Sequence, residues 1–301
     1  MNMPHSSSMG PAAALALRRK PAVGAGRSIG AILVDTGRLS SLDTEHILQV
    51  QREHGRRFGE IGVALGLLDE DDVRFALSVQ FDYSYLNADE TPLSRELIAA
   101  YQPSSLAVEN LRALRSQLML RWFDSEADRR LLAIVSAGAM EGRSYIAANL
   151  AIVFSQLGER TLLIDADMRS PRQHQLFRLG SGAGLSDMLA GRAGPQAVVG
   201  ISALRHLSVL PAGTIPPNPQ ELLGRKDFSI LLRSLSASFD VILIDTPPAS
   251  ECADAQTVAV RAGGALMVAR QNHSSVTQMA QFTHSLREFG VNLVGSVLND
   301  V

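Results

Sequence analysis

The chain has 301 residues, which is enough for one domain of about 200 residues and a smaller one. It contains 46% hydrophobic and 19% charged residues and carries a net charge of -2, so nothing in the composition indicates a nucleic-acid partner. A single cysteine excludes an internal disulfide, and no apolar run reaches the roughly 18 to 20 residues that cross a bilayer, so we expect a cytoplasmic chain without a transmembrane segment.

An internal repeat is the first regular feature of the chain. Residues 28–51 and 57–80, aligned at an offset of 29, are identical at nine of 24 positions. Each copy has the pattern of a short helix, a glycine turn at Gly37 or Gly66, and a second helix with a polar cap. The repeat predicts a small all-helical domain over residues 27–86, built from two helical hairpins that pack on each other.

The repeat unit G-x-I-x-V-x-x-G-x-L resembles the N-terminal domain of type II secretion and type IV pilus ATPases. In some of those proteins, tandem copies of the motif bind cyclic di-GMP. The resemblance implies a cyclic di-GMP site at Arg57, Phe58 and Gly59 of the second copy and Gly30 of the first. Because Ser28 stands where the first copy would carry arginine, a helical domain that docks on another protein is the alternative interpretation.

Two stretches show no sustained period. Residues 1–26, rich in Ser, Ala, Pro and Gly, predict a disordered leader, and residues 87–105, with Pro92 and Pro103, predict a linker. Residues 106–301 are therefore expected to form the larger domain.

The larger domain is predicted to begin with a helix from Leu106 to about Arg121. Glu109, Arg112 and Arg115 are spaced by three residues, which places them on adjacent turns of that helix. By itself, this pattern is typical of an exposed helix with an internal ion pair.

Residues 131–149 predict a short apolar strand, a small-residue turn and a helix, which is the layout of a phosphate-binding loop. In the usual G-x-x-x-x-G-K-S/T form, backbone N–H groups and the helix N-terminus surround the phosphates, while Lys and Ser/Thr reach phosphate and Mg²⁺. Here Gly142 and Ser144 match that form, and Arg143 replaces the lysine. The alternative interpretation is an ordinary strand-to-helix turn.

Acidic side chains end two later strands of the buried type. Residues 160–169 contain Asp165 and Asp167 at the end of one strand, and residues 239–248 contain Asp245 at the end of another. Ligands of open α/β sheets bind beyond the carboxyl ends of the strands, so these carboxylates and the loop serine are expected to converge on one Mg²⁺-nucleotide. Helix capping is the alternative for each aspartate taken singly.

The remaining elements predict the fold class. Strands alternate with helical stretches, which indicates an α/β domain with a doubly wound, mostly parallel sheet. Further strands are predicted over residues 207–213, 265–270 and 293–298, and helices over 146–157, over 184–191 on the surface, and from Asn218 and Pro219 onward.

Three motifs carry a resemblance to one family. SAGAMEGRSYIAANLA, LLIDADMRSP and DVILIDTPP are similar to the P-loop, the second Asp motif and the Walker B strand of the bacterial polysaccharide-associated tyrosine kinases, and the match runs from about Glu109 to Val301. The chain looks like the stand-alone exopolysaccharide chain-length determinant branch. The resemblance implies a MinD-like P-loop fold, binding of ATP and Mg²⁺, and tyrosine phosphorylation that controls polysaccharide chain length and export.

The resemblance also implies partners. In the family, the motif of Glu109, Arg112 and Arg115 builds the subunit contact of a ring, so a homo-oligomer is expected. A membrane-embedded polysaccharide chain-length regulator is the other expected partner, which would hold this chain at the cytoplasmic side of the inner membrane.

Roles of single residues follow from their places in the motifs. Ser144 is implied as a Mg²⁺ ligand, Asp245 as the Walker B metal-sphere residue, Asp167 as a second metal-site residue, and Asp165 as the group that orients or deprotonates the accepting hydroxyl. The implied nucleotide contacts are the backbone amides of Met140, Glu141, Gly142 and Arg143, the Arg143 side chain, Tyr145, and Asn299 at the adenine.

Departures from the family pattern leave more than one function open. Arg143 replaces the lysine, Tyr145 stands where a small hydroxyl residue is usual, and no tyrosine-rich tail follows the last strand. One hypothesis is an active protein-tyrosine kinase; the alternative is a catalytically weak, nucleotide-gated switch that binds the membrane regulator and reads cyclic di-GMP. A partition or cell-division ATPase is disfavoured because Gly138 occupies the place of the signature lysine of that group.

Overall fold

The computed structural model of the chain describes residues 27–80, 86, 92–124 and 127–300. The chain divides into two compact units, with the boundary between Asp82 and Tyr83. The leader predicted over residues 1–26 lies outside the described residues, as do residues 87–91 of the predicted linker.

Four helices form the N-terminal unit. They are α1 Ile29–Asp35, α2 Ser41–His54, α3 Phe58–Ala64 and α4 Glu70–Gln80. Helices α1 and α3 begin 29 residues apart, as do α2 and α4, in agreement with the repeat in the sequence. Helix α2 begins at a serine cap, since Ser40 Oγ accepts from the Asp43 amide at 3.1 Å, and Asp69 Oδ1 accepts from the Asp72 amide at 2.7 Å in the second copy.

The core of this unit requires small residues on α3, the first helix of the second copy. A Cβ at Gly59 would lie 2.7 Å from Val73 Cγ1, and one at Gly62 would lie 2.5 Å from Leu68 Cδ1. Both glycines therefore allow α3 to approach α4 and the turn before it more closely than alanine would. Ile47, with no exposed surface, packs in the same core.

A seven-stranded sheet forms the centre of the second unit. Its strands are β1 Leu131–Val135, β2 Thr161–Asp165, β3 Val199–Gly200, β4 Leu207–Leu210, β5 Val241–Asp245, β6 Gly264–Arg270 and β7 Asn292–Asn299. Their order is β3-β4-β2-β5-β1-β6-β7, and every pairing is parallel except that of β3 with β4. The predicted α/β class with a mostly parallel sheet is confirmed.

Helices cover both faces of this sheet. They are α5 Ile98–Tyr101, α6 Leu106–Leu118, α7 Arg143–Gln156, α8 Gln173–Leu176, α9 Leu185–Leu189, α10 Pro219–Gly224, α11 Lys226–Ser236, α12 Asp254–Ala262 and α13 Val276–Glu288. A short π-helix, Met119–Phe123, follows α6. Successive strand residues point to opposite faces, so β1 contributes Leu132 to one core and Ala133 to the other.

Two expectations about the larger unit are corrected. The second part of the predicted linker belongs to this unit, because Leu97, Ala99 and Ala100 are fully buried in the core that contains α7. The helix predicted on the surface over residues 184–191 is also buried, because Leu185 packs in the opposite core. Both segments are short, and neither has enough residues to show a helical period in the sequence.

Candidate active site

The candidate site lies where β1, β2 and β5 end. These strands are neighbours in the sheet, and the loop after β1 leads directly into α7, whose second residue is Ser144. Asp165 and Asp245 are the last residues of β2 and β5 and are register partners. The Ser144 side chain lies near the Asp245 carboxyl and, against the larger effect of burial, lowers its pKa. The fold thus brings together three groups that are far apart in the sequence.

The loop after β1 depends on backbone conformations that favour glycine. Gly142 has φ +91°, and a Cβ there would lie 2.2 Å from Asn299 Nδ2. Asn299 donates to the Glu141 carbonyl at 3.3 Å, so the end of β7 packs directly on the loop. Met140 also has positive φ, +60°, and its side chain is 75% exposed. The loop is therefore exposed at Met140 and packed against Asn299 at Gly142.

The Glu141 carboxylate fixes the loop from the inside, a role that the sequence did not indicate. The side chain is 1% exposed, and its Oε2 accepts from the Gly138 amide at 3.1 Å, while Oε1 accepts from Ser274 Oγ. Arg270 Nη1 donates to the Met140 carbonyl at 3.3 Å, and a ring nitrogen of His273 lies 3.0 Å from the Ala139 carbonyl. The loop between β6 and α13 therefore clamps the phosphate-binding loop.

Arg143 uses much of its guanidinium group to hold the loop itself. Its Nε donates to the Thr246 carbonyl at 2.9 Å, and its Nη1 donates to the Gly138 carbonyl at 2.9 Å and to Ser136 Oγ. Among the described residues, Nη2 has no hydrogen bond, so this nitrogen is the one available to a phosphate. A lysine has a single nitrogen and cannot hold two such separate acceptors and a ligand with the same geometry.

The carboxyl groups of Asp165 and Asp245 are fully buried but differ in their partners. Asp165 accepts three backbone N–H groups, from Asp167 at 3.2 Å, Arg172 at 3.0 Å and Gln173 at 2.9 Å. Asp245 Oδ2 accepts from Gln173 Nε2 at 2.7 Å. Within the described part of the chain, Asp245 Oδ1 is buried and has no hydrogen-bond partner.

The buried pair resists ionisation. Burial raises the pKa of Asp165 well above its ordinary value, and the charges of Asp245 and Asp167 raise it further. Burial also raises the pKa of Asp245, although the hydrogen bond from Gln173 and the charge of Arg143 oppose that rise. A divalent cation beside the pair would favour both charged forms.

Asp167 lies at the turn after β2, and its Oδ2 makes no hydrogen bond within the part of the chain that the structure describes. Its Oδ1 accepts from the amides of Arg169 at 3.1 Å and Ser170 at 2.9 Å, and the residue is 5% exposed. The same turn contains Arg169, which the sequence did not single out. Arg169 Nε donates at 2.9 Å to Oδ2 of Asp254, a fully buried residue at the start of α12, so the turn is tied to a neighbouring helix.

The donor set of this edge fits a magnesium ion. It offers the Ser144 hydroxyl, carboxylates, and the unpartnered Asp245 Oδ1, all of which are oxygen ligands. No three His, Cys, Asp or Glu side chains of the described residues are placed to ligate a single ion. Magnesium is ordinarily held by one or two carboxylates together with phosphate oxygens and water, so this arrangement agrees with its coordination chemistry.

Tyr145 and Asn299 border a cavity beside the loop. The cavity of about 320 Å³ lies between α6, α7 and β7, and Asn110 and Asp300 also line it. Burial raises the pKa of the Tyr145 hydroxyl, and the charges of Glu96 and Asp300 raise it further. Two of the predicted nucleotide contacts, Tyr145 and Asn299, therefore line the same cavity.

Glu109, Arg112 and Arg115 make contacts within their own unit. Glu109 and Arg112 form an ion pair, and Arg112 Nη1 also donates to the Pro103 carbonyl at 2.7 Å. Arg115 Nη1 donates to the Val153 carbonyl at 2.8 Å, near the end of α7. The three residues thus join α6 to its surroundings, and their contacts do not include the strand-end carboxylates.

The cyclic di-GMP candidates lie in the N-terminal unit, where packing accounts for two of them. A Cβ at Gly30 would lie 3.2 Å from Phe58 Cζ, and Gly59 contacts Val73. Arg57 is exposed and precedes α3. The two glycines are therefore explained by helix packing, and Arg57 is the exposed member of the set.

Comparison with known proteins gives one consistent set of relatives. No family model matches the chain. Tyrosine-protein kinase YwqD of Bacillus subtilis is 36% identical over 207 residues, which cover 69% of this chain and 86% of that protein. Tyrosine-protein kinase wzc of Salmonella typhimurium is 34% identical over 206 residues; the match covers 68% of this chain but only 28% of that longer protein.

A solved structure agrees with the sequence comparison. The kinase domain of the Escherichia coli tyrosine kinase ETK superposes with a TM-score of 0.65 at 32% identity, covering 68% of this chain and 80% of that domain. In the part of the chain that the structure describes, no helix is both long and apolar enough to span a bilayer.

Proposed function

Because the chain belongs to the family of bacterial tyrosine-protein kinases, we propose that it is an ATP-dependent protein-tyrosine kinase that regulates exopolysaccharide chain length and export. The observation that carries the proposal is the meeting of Ser144, Asp165 and Asp245 at one edge of the sheet, beside a phosphate-binding loop. The alternative, a catalytically weak nucleotide-gated switch, has less support because the relatives are named kinases.

The residues divide the work of phosphoryl transfer between them. The amides of Met140 to Arg143 and the Arg143 Nη2 would bind phosphate oxygens. Ser144 would ligate the metal ion directly, and Asp245 would act as a residue of the metal sphere. Bound Mg²⁺ neutralises charge on the terminal phosphates. Asp167 is proposed to complete the metal site through its Oδ2.

Asp165 is proposed to orient the accepting tyrosine hydroxyl or to take its proton. Asp165 already accepts three backbone hydrogen bonds, so its two oxygens have room for one more. The longest of the three hydrogen bonds, from the Asp167 amide at 3.2 Å, is also the weakest. A metal ion beside the pair would favour the charged form of Asp165, which is the form that can accept a proton. Tyr145 and Asn299 are proposed to contact the nucleoside beside their cavity.

Nucleotide binding is tested by calorimetry with Mg²⁺-ATP on Asp245→Asn. We expect at least a tenfold weaker affinity, which corresponds to about 1.4 kcal/mol, because the buried acceptor oxygen of the metal site is lost. The exposed Asp227→Asn serves as the matched control. Equal affinity of the two variants would contradict the proposed site.

Kinase activity is tested by incubating the protein with Mg²⁺-ATP and the cytoplasmic part of its membrane partner. We expect phosphotyrosine with the wild type and none with Asp165→Asn. ATP binding without any phosphotyrosine would favour the switch instead.

We propose two assemblies for this chain, a homo-oligomeric ring and a complex with a membrane-embedded chain-length regulator that holds it at the inner membrane. Within α6, Glu109 is the exposed member of the motif, with 58% of its side chain accessible. Light scattering of Glu109→Ala tests the ring, which should dissociate into smaller species.

The helical unit is proposed to dock on a protein rather than to sense cyclic di-GMP. Packing already explains Gly30 and Gly59, which leaves Arg57 as the exposed cyclic di-GMP candidate. Calorimetric titration with cyclic di-GMP should give no binding; saturable binding that Arg57→Ala removes would restore the nucleotide hypothesis.

A further inference from the structure

Gln173 contacts all three segments of the candidate active site. It is fully buried at the start of α8, and its backbone amide donates to Asp165 Oδ2 at 2.9 Å. Its side-chain Nε2 donates to Asp245 Oδ2 at 2.7 Å and to the Ser144 carbonyl at 3.1 Å. One residue therefore joins the end of β2, the end of β5 and the first turn of α7.

The orientation of the Gln173 amide follows from these partners. A carboxylate oxygen and a backbone carbonyl oxygen are both acceptors, so the NH₂ group must face them. The carbonyl Oε1 then faces away from both. Among the described residues this Oε1 is buried without a hydrogen-bond partner, as is Asp245 Oδ1.

Two buried acceptors, Gln173 Oε1 and Asp245 Oδ1, lie next to a phosphate-binding loop without a donor among the described residues, which indicates a ligand that donates hydrogen bonds. Buried polar groups are nearly always hydrogen-bonded, and an unmade bond is destabilising. A phosphate oxygen would be repelled by both acceptors. A donor is needed instead, and water held by a divalent cation is a strong donor of hydrogen bonds.

We infer that Gln173 is a positioning residue of the site, whose amide nitrogen fixes Asp245 and the first turn of α7 and whose Oε1, together with Asp245 Oδ1, accepts hydrogen bonds from water held by the metal ion. This inference rests on the proposed function, because it requires a metal-nucleotide complex at this edge of the sheet. It assigns to the start of α8 a part in metal-dependent binding that none of the sequence motifs contains.

The test separates positioning of the metal shell from a purely structural role. The dissociation constant of ADP is measured by calorimetry with Mg²⁺ and with a chelator in its place. The Mg²⁺-dependent ratio is the value with the chelator divided by the value with Mg²⁺, and it is compared between variants of the full chain. Gln173→Met keeps the length of the side chain but removes the amide. Gln175→Met is the matched control, since Gln175 is exposed on the same helix.

We expect Gln173→Met to lower the Mg²⁺-dependent ratio about tenfold, which is the effect of losing one or two hydrogen bonds. The affinity measured without Mg²⁺ should change less than about threefold. Gln175→Met should match the wild type. If the affinity for ADP fell equally with and without Mg²⁺, Gln173 would only stabilise the fold, and the inference would be overturned.

A second variant keeps the inference testable if Gln173→Met does not fold, which far-ultraviolet circular dichroism reports. Gln173→Asn keeps the polar amide but is one methylene shorter, so it cannot reach Asp245 Oδ2 and the Ser144 carbonyl together, and its ratio should fall below that of the wild type; a folded Asn variant with the wild-type ratio overturns the inference. A wild-type protein that binds ADP equally with and without Mg²⁺ would contradict the proposed function itself.

Discussion

Arg143 shows how one residue can alter a motif without abolishing its geometry. The guanidinium donates to two acceptors of the loop and to the carbonyl of Thr246, which directly follows β5. A single nitrogen is then available to a ligand. In this chain the loop is thus braced by the side chain that usually serves the phosphate. Holding the loop and binding the nucleotide become separable properties.

Two substitutions of Arg143 test that separation. Arg143→Lys keeps the charge but cannot reach both Thr246 and Gly138, so we expect the free energy of unfolding to fall by about 1–3 kcal/mol with Mg²⁺-ATP affinity within threefold of the wild type. Arg143→Met should lose both stability and at least tenfold in affinity. Urea unfolding and calorimetry measure the two effects. The exposed Arg233→Met is the control, and an affinity loss in Arg143→Lys equal to that in Arg143→Met would refute this account.

Asp187 illustrates a carboxylate used for structure alone. Burial raises the pKa of Asp187, but hydrogen bonds from the Thr214 amide, Arg192 and the Gly184 amide outweigh burial and lower it to about 2. The folded state therefore binds this proton less tightly than the unfolded chain does. The resulting stability is present above pH 4 and is lost as the pH falls toward 2.

We predict that Asp187→Asn lowers the free energy of unfolding by roughly 1–2 kcal/mol at pH 7 and that the difference from the wild type shrinks as the pH approaches 2. Urea unfolding across this range of pH measures it. A difference that does not depend on pH would show that the charge of Asp187 is not responsible. The exposed Asp227→Asn should differ little from the wild type at either pH.

Helix α7 is the element on which both the site and the core depend. Its residues are buried on nearly all sides, because β-strands lie beneath it and α5 and α6 lie above it. Asn149 connects these layers: its Oδ1 accepts from the Ala99 amide at 2.9 Å, and its Nδ2 donates to the carbonyls of Glu96 at 2.9 Å and Tyr145 at 3.0 Å. A buried polar side chain on this helix thus holds the segment before α6 in place.

Removing the Asn149 amide should loosen that segment. Asn149→Leu leaves the Ala99 amide and the Glu96 carbonyl without their partner, so we expect a loss of roughly 1–3 kcal/mol in the free energy of unfolding and faster amide hydrogen exchange at residues 97–101. Asn110→Leu, on the exposed side of α6, should change stability by less than about 0.5 kcal/mol. Unchanged exchange at Ala99 in the Asn149 variant would argue against this role.

At the scale of the whole molecule, the two units contain different candidate functional residues. All the candidate catalytic and ATP-binding residues belong to the second unit, whereas the repeat and the cyclic di-GMP candidates belong to the first. The cores are distinct, since the buried residues of the helical unit form a cluster of their own.

A substitution in the helical core should therefore spare nucleotide binding. Gly62→Val would force a side chain against Leu68 and Ile47, so we expect the helical unit to lose about 1–3 kcal/mol of stability while the Mg²⁺-ADP affinity stays constant. Ala31→Val, at an exposed position of α1, is the matched control. Unfolding followed by circular dichroism, together with calorimetry, distinguishes this result from a coupled loss of both.

What the sequence by itself determined is local in origin. Apolar strand segments, a Gly-Arg-Ser helix start and aspartates at strand ends are patterns within a few residues of each other, and they sufficed for the α/β class and for naming Ser144, Asp165 and Asp245. The repeat was equally readable, since its two copies align without a gap. The order of the strands in the sheet was not, because that order depends on contacts between distant segments.

Only the tertiary structure decided which side chains support those groups. Gln173 reaches Ser144 across 29 positions and Asp245 across 72, and Glu141 meets Ser274 across 133. No local period encodes such pairings, because a hydrogen bond between two buried side chains depends on how the strands and loops pack. The same reason explains the buried segment at residues 97–101, whose few apolar residues acquire a partner only when α7 packs against them.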